Sequence, residues 1–301
     1  MSKAKAAVKR GQGTLCLTGE EKPIESTVSG VTVYETPHGQ LSILPEWNGA
    51  HKVLILPNSL LRGGVFGVSQ NSAKEFLNRV SIPCVAGIEI RYSGPRLTQS
   101  DLDVWHGTLV ISKTPCSDGY AISGVKPFLK MIERQTGKAE RDWLKSSLTK
   151  LVASAIEVSH NGLTYVGSLI DDFYQEEETG RLRIKLNPTL AALFAPASWT
   201  AINWNQRSAL QRKALAQWIH AFYSTHRTPF YYRVETIMVM CGSKHKSVVE
   251  FRRALKEALA DVADVTGWEC RIDKAGDAVV IIKQGLPSPD ESHESEHLQG
   301  G

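Results

Sequence analysis

The stretch ETIMVMCGSKHKSVVEFRRALKEALADV, residues 235–262, decides the fold. Its first six residues, 235–240, suit a short helix, and Cys241-Gly242-Ser243 breaks it with a glycine free to turn left-handed. The run 247–262 predicts an amphipathic helix. At about 100° per residue, Val248, Phe251, Leu255 and Leu259 make one apolar stripe while Lys246, Glu250 and Arg253 point the opposite way. Lys244, His245, Lys246 and Ser247 precede or open this helix, where cations and free backbone N–H groups both favour phosphate. A DNA recognition helix needs this division, one face fixed in a core and the other free to reach base edges. The plain alternative is a solvated helix face.

Downstream, 268–273 and 278–283 read as strands joined by Lys274-Ala275-Gly276-Asp277, a hairpin turn with glycine where positive φ is needed. Upstream, a helix over 206–223 carrying Trp218 leads through Thr228-Pro229 to a short strand, 230–232. Helix, strand, helix, turn, helix, hairpin is the winged-helix order.

The same order is legible in the first half. Ile88-Glu89-Ile90-Arg91-Tyr92 alternates as a strand, and Ser100 is an N-cap candidate for a helix that spaces Leu102, Trp105, Leu109 and Val110. A helix over 125–134 carries Phe128, Leu129 and Ile132, and after Thr136-Gly137 a helix over 138–157 places Leu144, Leu148, Leu151 and Ala155 on one face. Lys138, Asp142, Lys145, Ser146 and Thr149 lie opposite that stripe, with Arg141 and Lys150 on its flanks. Lys138, Arg141, Lys145, Ser146 and Thr149 are therefore candidates to read a groove, or to meet another protein. Strands over 163–169 and 181–186 flank an acidic loop, 171–180, whose Glu176-Glu177-Glu178 would repel phosphate. This wing is expected to face a protein or solvent. The expectation is an α+β chain of tandem winged-helix (helix-turn-helix) domains, 55–195 and 196–285. Residues 1–54 are expected to be largely disordered, around an apolar island at 40–44, and 286–301 to be a disordered acidic tail.

Composition sets bounds. The 301 residues carry a net charge of +4, and Asp290, Glu291, Glu294 and Glu296 in the last sixteen leave +8 on the rest, which suits a polyanionic partner. Cys16, Cys84, Cys116, Cys241 and Cys270 are odd in number and lack a C-x-x-C pair, arguing against a disulfide framework or zinc ribbon and for a reducing cytoplasm. No run of about 18 apolar residues occurs, and no apolar stretch comes after the basic start, so membrane and secretion are not expected. His293-Glu294-Ser295-Glu296-His297 matches H-E-x-x-H, but nothing apolar there would bury the helix that a zinc site needs. Gly63-Gly64-Val65-Phe66-Gly67 lacks the Lys-Ser/Thr of a P-loop and reads as a turn. No His-apolar-His strand of a nicking enzyme is seen, so no catalytic residue, cofactor or metal is expected.

Several segments carry a family resemblance. Phe222-Tyr223-Ser224-Thr225-His226-Arg227-Thr228-Pro229-Phe230, Glu235-Thr236 and Met240-Cys241-Gly242-Ser243 closely resemble the C-terminal domain of the TrfA-type plasmid replication initiators. Leu56-Pro57-Asn58, Val65-Phe66 and Ile90-Arg91-Tyr92-Ser93-Gly94, with Leu97, Asp103 and Trp105, resemble that family's first domain. The resemblance spans about 40–283. It implies a non-enzymatic initiator that binds double-stranded iteron repeats at a plasmid origin, opens adjacent A·T-rich DNA, contacts the single strand and recruits host factors. Those factors are the sliding clamp, the replicative helicase and the host initiator. Gln40-Leu41-Ser42-Ile43-Leu44 looks like the family's clamp-binding motif, with Leu44 where Phe is usual; an edge strand or chance apolar patch is the other reading. A homodimer through domain 1 is a further expectation. The other functions left open are a plasmid-encoded transcriptional repressor and a replisome-docking protein with only nonspecific DNA affinity.

Overall fold

The computed structural model describes residues 26–28, 31–35, 41–44, 53–69, 75–85, 87–112, 119–160, 162–176, 178–194, 198–226, 231–273, 275 and 277–283. The chain is a mixed α+β protein. β1 (Ser26–Val28), β2 (Val31–Glu35) and β3 (Leu41–Leu44) form an antiparallel sheet in that order. The stretch 1–54 therefore holds paired backbone where disorder was expected. Val31-Thr32-Val33-Tyr34 supplies the reason, because β-branched and aromatic residues in series favour the pleated strand.

β4 (Val53–Pro57), α1 (Asn58–Leu61), β5 (Phe66–Gly67), β6 (Phe76–Ile82), β7 (Ile88–Pro95) and β8 (Leu97–Thr98) come next. β7 alternates buried and exposed residues as its sequence predicts. α2 (Gln99–Ile111) is capped by Thr98 rather than Ser100: the Asp101 carboxylate accepts both the Thr98 N–H and the Thr98 hydroxyl at 2.8 Å. β9 (Ala121–Gly124), α3 (Val125–Met131) and α4 (Lys138–Val152) come after it.

α4 ends earlier than the stretch 138–157, and β10 (Ala155–His160) begins inside it. Ala155 is exposed on that strand and does not join the Leu144, Leu148, Leu151 stripe. Pairing with β7, from Ala155 opposite Ser93 to His160 opposite Ile88, outweighs the helical period. β11 (Leu163–Gly167) pairs with β10, giving a four-stranded sheet ordered β11-β10-β7-β6. The wing position expected for 163–169 is taken instead by β12 (Asp172–Gln175), which pairs with β13 (Arg181–Lys185) in a sheet ordered β12-β13-β9.

A 3-10 helix (Pro188–Phe194) leads to β14 (Trp199–Asn203), which returns to pair with β4. The helix expected over 206–223 is two, α5 (Trp204–Ala209) and α6 (Ala214–Ser224), broken where Arg212 turns left-handed with φ 68°. β15 (Tyr232–Arg233), α7 (Val234–Met240), α8 (Val248–Thr266), β16 (Glu269–Asp273) and β17 (Ala278–Ile282) are the last of the described elements, and their three strands form a sheet ordered β15-β17-β16.

Two cores form. The larger gathers Tyr92, Trp105, Phe128, Leu144, Leu148 and Leu151, and it also takes Ile202 and Trp204 from beyond the expected boundary at 195. The smaller gathers Trp218, Phe222, Phe251, Leu255, Leu259 and Ile281.

Candidate nucleic-acid interface

In the second half, α7 buries Val234, Ile237 and Met240 and ends at Gly242, whose φ of 66° turns the chain toward α8. Ser247 caps α8 by accepting the Glu250 N–H at 3.2 Å, and Gly267 stops it with φ 73°. Phe251, Leu255, Ala258, Leu259 and Val262 seat the helix. Lys246, Glu250 and Arg253 face outward as the period predicts, and Arg253 is 88% exposed with Glu257 at 4.0 Å. Lys244 is exposed but lies 3.4 Å from Glu75 of β6's approach, while Ser243 Oγ sits 2.7 Å from His245 Nδ1. Arg252 grips the hairpin: its Nη2 donates to Asp277 Oδ2 at 2.6 Å. That bidentate pair fixes the angle between α8 and the β16–β17 hairpin.

In the first half, Lys138, Arg141, Lys145, Ser146 and Thr149 are all exposed on α4. The opposite side is anchored by fully buried Asp101, which accepts from Ser147 Oγ at 2.6 Å and pairs with Lys150. Lys150 is thus committed to α2. Between α4 and β12 runs a groove of about 420 Å³, with Lys138, Arg141, Asp142 and Lys145 on one wall and Phe173, Tyr174 and Gln175 on the other. The Arg183 guanidinium lies 5.3 Å from the ring centres of both Tyr120 and Tyr174. The hairpin around the acidic loop thus carries Tyr174 and Arg183 on its strands, together with Asp172 opposite Lys185, while Glu176 and Glu178 lie at the turn. Phosphate could approach those strands. Sequence reasoning missed Tyr174, whose only signal was the adjacent pair of strand-favouring aromatics Phe173-Tyr174.

The two halves are joined by buried polar contacts. Arg207, with no exposed surface, donates from Nε to Asp103 Oδ1 at 2.6 Å and from Nη2 to the Gln99 carbonyl at 3.0 Å. Burial pushes the Asp103 carboxyl up, and the Arg207 guanidinium opposes it. Arg62 donates to the Thr225 carbonyl at 2.6 Å, and Trp218 Nε1 to the Gly63 carbonyl at 3.0 Å. Gly64 lies so close to the α7–α8 turn that a Cβ there would stand 3.0 Å from the Met240 carbonyl oxygen. Only the first part of the 63–67 stretch is a turn, since Phe66 and Gly67 form β5 against β8, and the missing side chain at Gly64 lets the chain pass close to the α7–α8 turn. Arg96 holds Glu75 at 3.0 Å, and that hydrogen bond is the main reason the Glu75 carboxyl is drawn down. Glu75 thereby links Arg96 to Lys244.

Of the remaining expected sites, Gln40 lies outside the described residues. Leu41, Ser42, Ile43 and Leu44 form β3, paired to β2 with Leu44 opposite Thr32 and Leu41 opposite Glu35. The H-E-x-x-H match at 293–297 also lies outside the described residues. Among the described residues, no group of three or more His, Cys, Asp or Glu is placed to hold a metal, and no helix is long and apolar enough to cross a membrane.

The TrfA protein family model matches residues 33–270. The chain belongs to the TrfA family. It is similar to the plasmid replication initiator protein TrfA of Escherichia coli, with 25% identity over 229 residues, which is 69% of this chain and 56% of that protein. The chain thus spans about half the length of this TrfA relative. Among solved structures, it is similar to domains 2 and 3 of RctB, at a TM-score of 0.49 and 9% identity, covering 75% of this chain and 98% of that one. It is also similar to the Pi initiator protein in complex with iteron DNA, at a TM-score of 0.45 and 12% identity, covering 62% and 94%.

Proposed function

We propose that this TrfA-family chain initiates plasmid replication by binding iteron duplexes through tandem winged helices, with α4 and α8 as the recognition helices. The supporting observation is one arrangement made twice. Each half has a strand, two helices and a hairpin whose sheet runs in the same order, and each turns a polar, partly cationic helix face outward. Lys138, Arg141 and Lys145 contact phosphate beside the β12 groove, releasing counterions, with Ser146 and Thr149 beside them. Lys244, His245, Lys246 and Ser247 fix the start of α8 on the backbone, leaving Glu250 and Arg253 to reach bases.

Because Arg207 and Asp103 hold the halves at a set angle, fitting both helices to one site strains the duplex. That strain lowers the cost of opening adjacent A·T-rich DNA, and the exposed single strand is a second ligand. The protein acts in the cytoplasm without catalysis, metal or cofactor, and the first half supports a homodimer. It recruits the helicase, the host initiator and the sliding clamp, the last through Gln40, Leu41, Ser42, Ile43 and Leu44. The Leu41–Leu44 backbone must then leave β2 or dock as a strand.

Footprinting on direct repeats of the cognate origin, together with replication of an origin plasmid when the protein is supplied in trans, tests this reading. Protection of the repeats with replication is expected. Protection and promoter silencing without replication makes the protein a repressor. No sequence-dependent footprint makes it a docking protein.

A further inference from the structure

We infer, resting on the reading of α8 as a recognition helix, that Val249 is a specificity residue that reads the 5-methyl group of a thymine in the major groove. Val249 is the second residue of α8 and is 77% exposed, the most open of the large apolar side chains among the described residues. Val248 turns toward the core, whereas Val249 shares the outward face with Glu250, Arg253, Lys256 and Glu257. A β-branched residue there adds nothing to helix propensity and removes little surface from water, so folding does not account for it.

Groove chemistry does. The thymine methyl is the one apolar feature that a base pair presents on its major-groove edge. The N-terminal residues of a recognition helix are the ones that meet base edges in helix-turn-helix complexes, and Val249 stands in that first turn. Arg253 lies one turn further along the same face and flanks the apolar contact with a charged one. The site recognised by α8 thus contains a thymine beside the base or phosphate that Arg253 touches.

The test uses the full chain and duplexes selected for binding from a random library. Each thymine of the selected site is replaced by deoxyuridine, which deletes the methyl and keeps every pairing group. At one or two positions the wild type should lose about fourfold in affinity, the worth of one buried methyl group. Val249→Ala should lose a similar amount on the thymine duplex and become indifferent to deoxyuridine at those positions. Its Tm should stay unchanged, because the side chain is exposed. Full deoxyuridine sensitivity in Val249→Ala, or a selected site in which no thymine is sensitive, overturns the inference and leaves α8 as a reader by other residues. Failure to select any duplex overturns the DNA-binding reading itself.

Discussion

The two halves set their sheets in the same order, β12-β13-β9 and β16-β17-β15, yet they hold the outward helix by different means. In the first half, α4 is pinned from behind: Asp101 of α2 takes Ser147 and Lys150, and the β10–β11 pair intervenes before the hairpin. Its hairpin stands apart from α4 and leaves a groove. In the second half, α8 passes through Gly267 straight into the hairpin, and Arg252 clasps that hairpin at Asp277. A helix clasped to its own hairpin offers one rigid surface, which suits the base reading proposed for α8. A helix with an open cationic and aromatic groove beside it suits backbone contact, which is tolerant of sequence.

The largest expected effect comes from breaking the joint between the halves. Arg207→Met leaves the Asp103 carboxyl buried without its cation, and stability should fall by about 3–5 kcal/mol in urea denaturation. Adding Asp103→Leu removes the stranded carboxyl and should recover most of that loss. If Arg207→Met alone costs under about 1 kcal/mol, the pair does not fix the angle on which the duplex strain depends.

Acid should separate the halves next. Burial holds the His220 imidazole down to about 3 and that of His226 to about 4, and both belong to the second half. The unfolded chain takes up these protons near pH 6.5, while the folded chain resists them. Stability present above pH 6.5 is therefore lost as pH falls toward 4, by about 1.4 kcal/mol per pH unit for each histidine. Between pH 6.5 and 5.5 this amounts to about 2 kcal/mol for the two together, because the unfolded histidines are already half protonated at pH 6.5 and the full slope is reached only below it. Hydrogen exchange should show α6 and α8 opening before α2 and α4. A double His220→Gln, His226→Gln protein with the same pH slope would remove the histidines as the cause.

DNA binding sharpens the comparison further. Arg253→Ala should cost about 1–3 kcal/mol on the selected duplex and much less on random DNA. Arg141→Ala with Lys145→Ala should weaken both duplexes alike and reduce the salt slope by about 2. Interchanged outcomes would make α4 the reader and α8 the backbone clamp.

The contrast between the halves is only partly legible in the chain. The α8 stripe, its cap at Ser247 and its outward residues come from spacing alone, because the helix keeps the cap and the buried face that its own sequence supplies. α4 reads too long, since Ala155 continues the spacing of Leu144, Leu148 and Leu151, and only pairing with β7 makes 155–160 a strand. For the same reason β11 reads as a wing strand: a hairpin that joins a distant sheet looks locally like any other. The outward cations of α4 are given by its period, but the groove beside them requires knowing that Tyr174 lies on a strand. Arg207 leaves no signal, because an arginine among Asn205, Gln206 and Ser208 reads as a solvated helix residue until Asp103 is brought against it.

The smallest effect tests whether the halves communicate through charge. In the free protein, Lys244 at the start of α8 lies 3.4 Å from Glu75, which Arg96 holds at 3.0 Å. If Lys244 contacts phosphate, Glu75 competes with DNA for it, and its negative charge also repels the backbone. Glu75→Gln keeps the shape and removes the competitor. The pair is partly solvated, so it is worth under about 1 kcal/mol, and nonspecific affinity should rise by less than about fivefold. The rise should shrink at high salt, where both the pair and the repulsion are screened. Lys244→Ala should abolish most of the gain, because the remaining benefit is only the lost repulsion. An equal gain with and without Lys244 would show that Glu75 acts through the general field and that the contact between the halves carries no coupling to DNA.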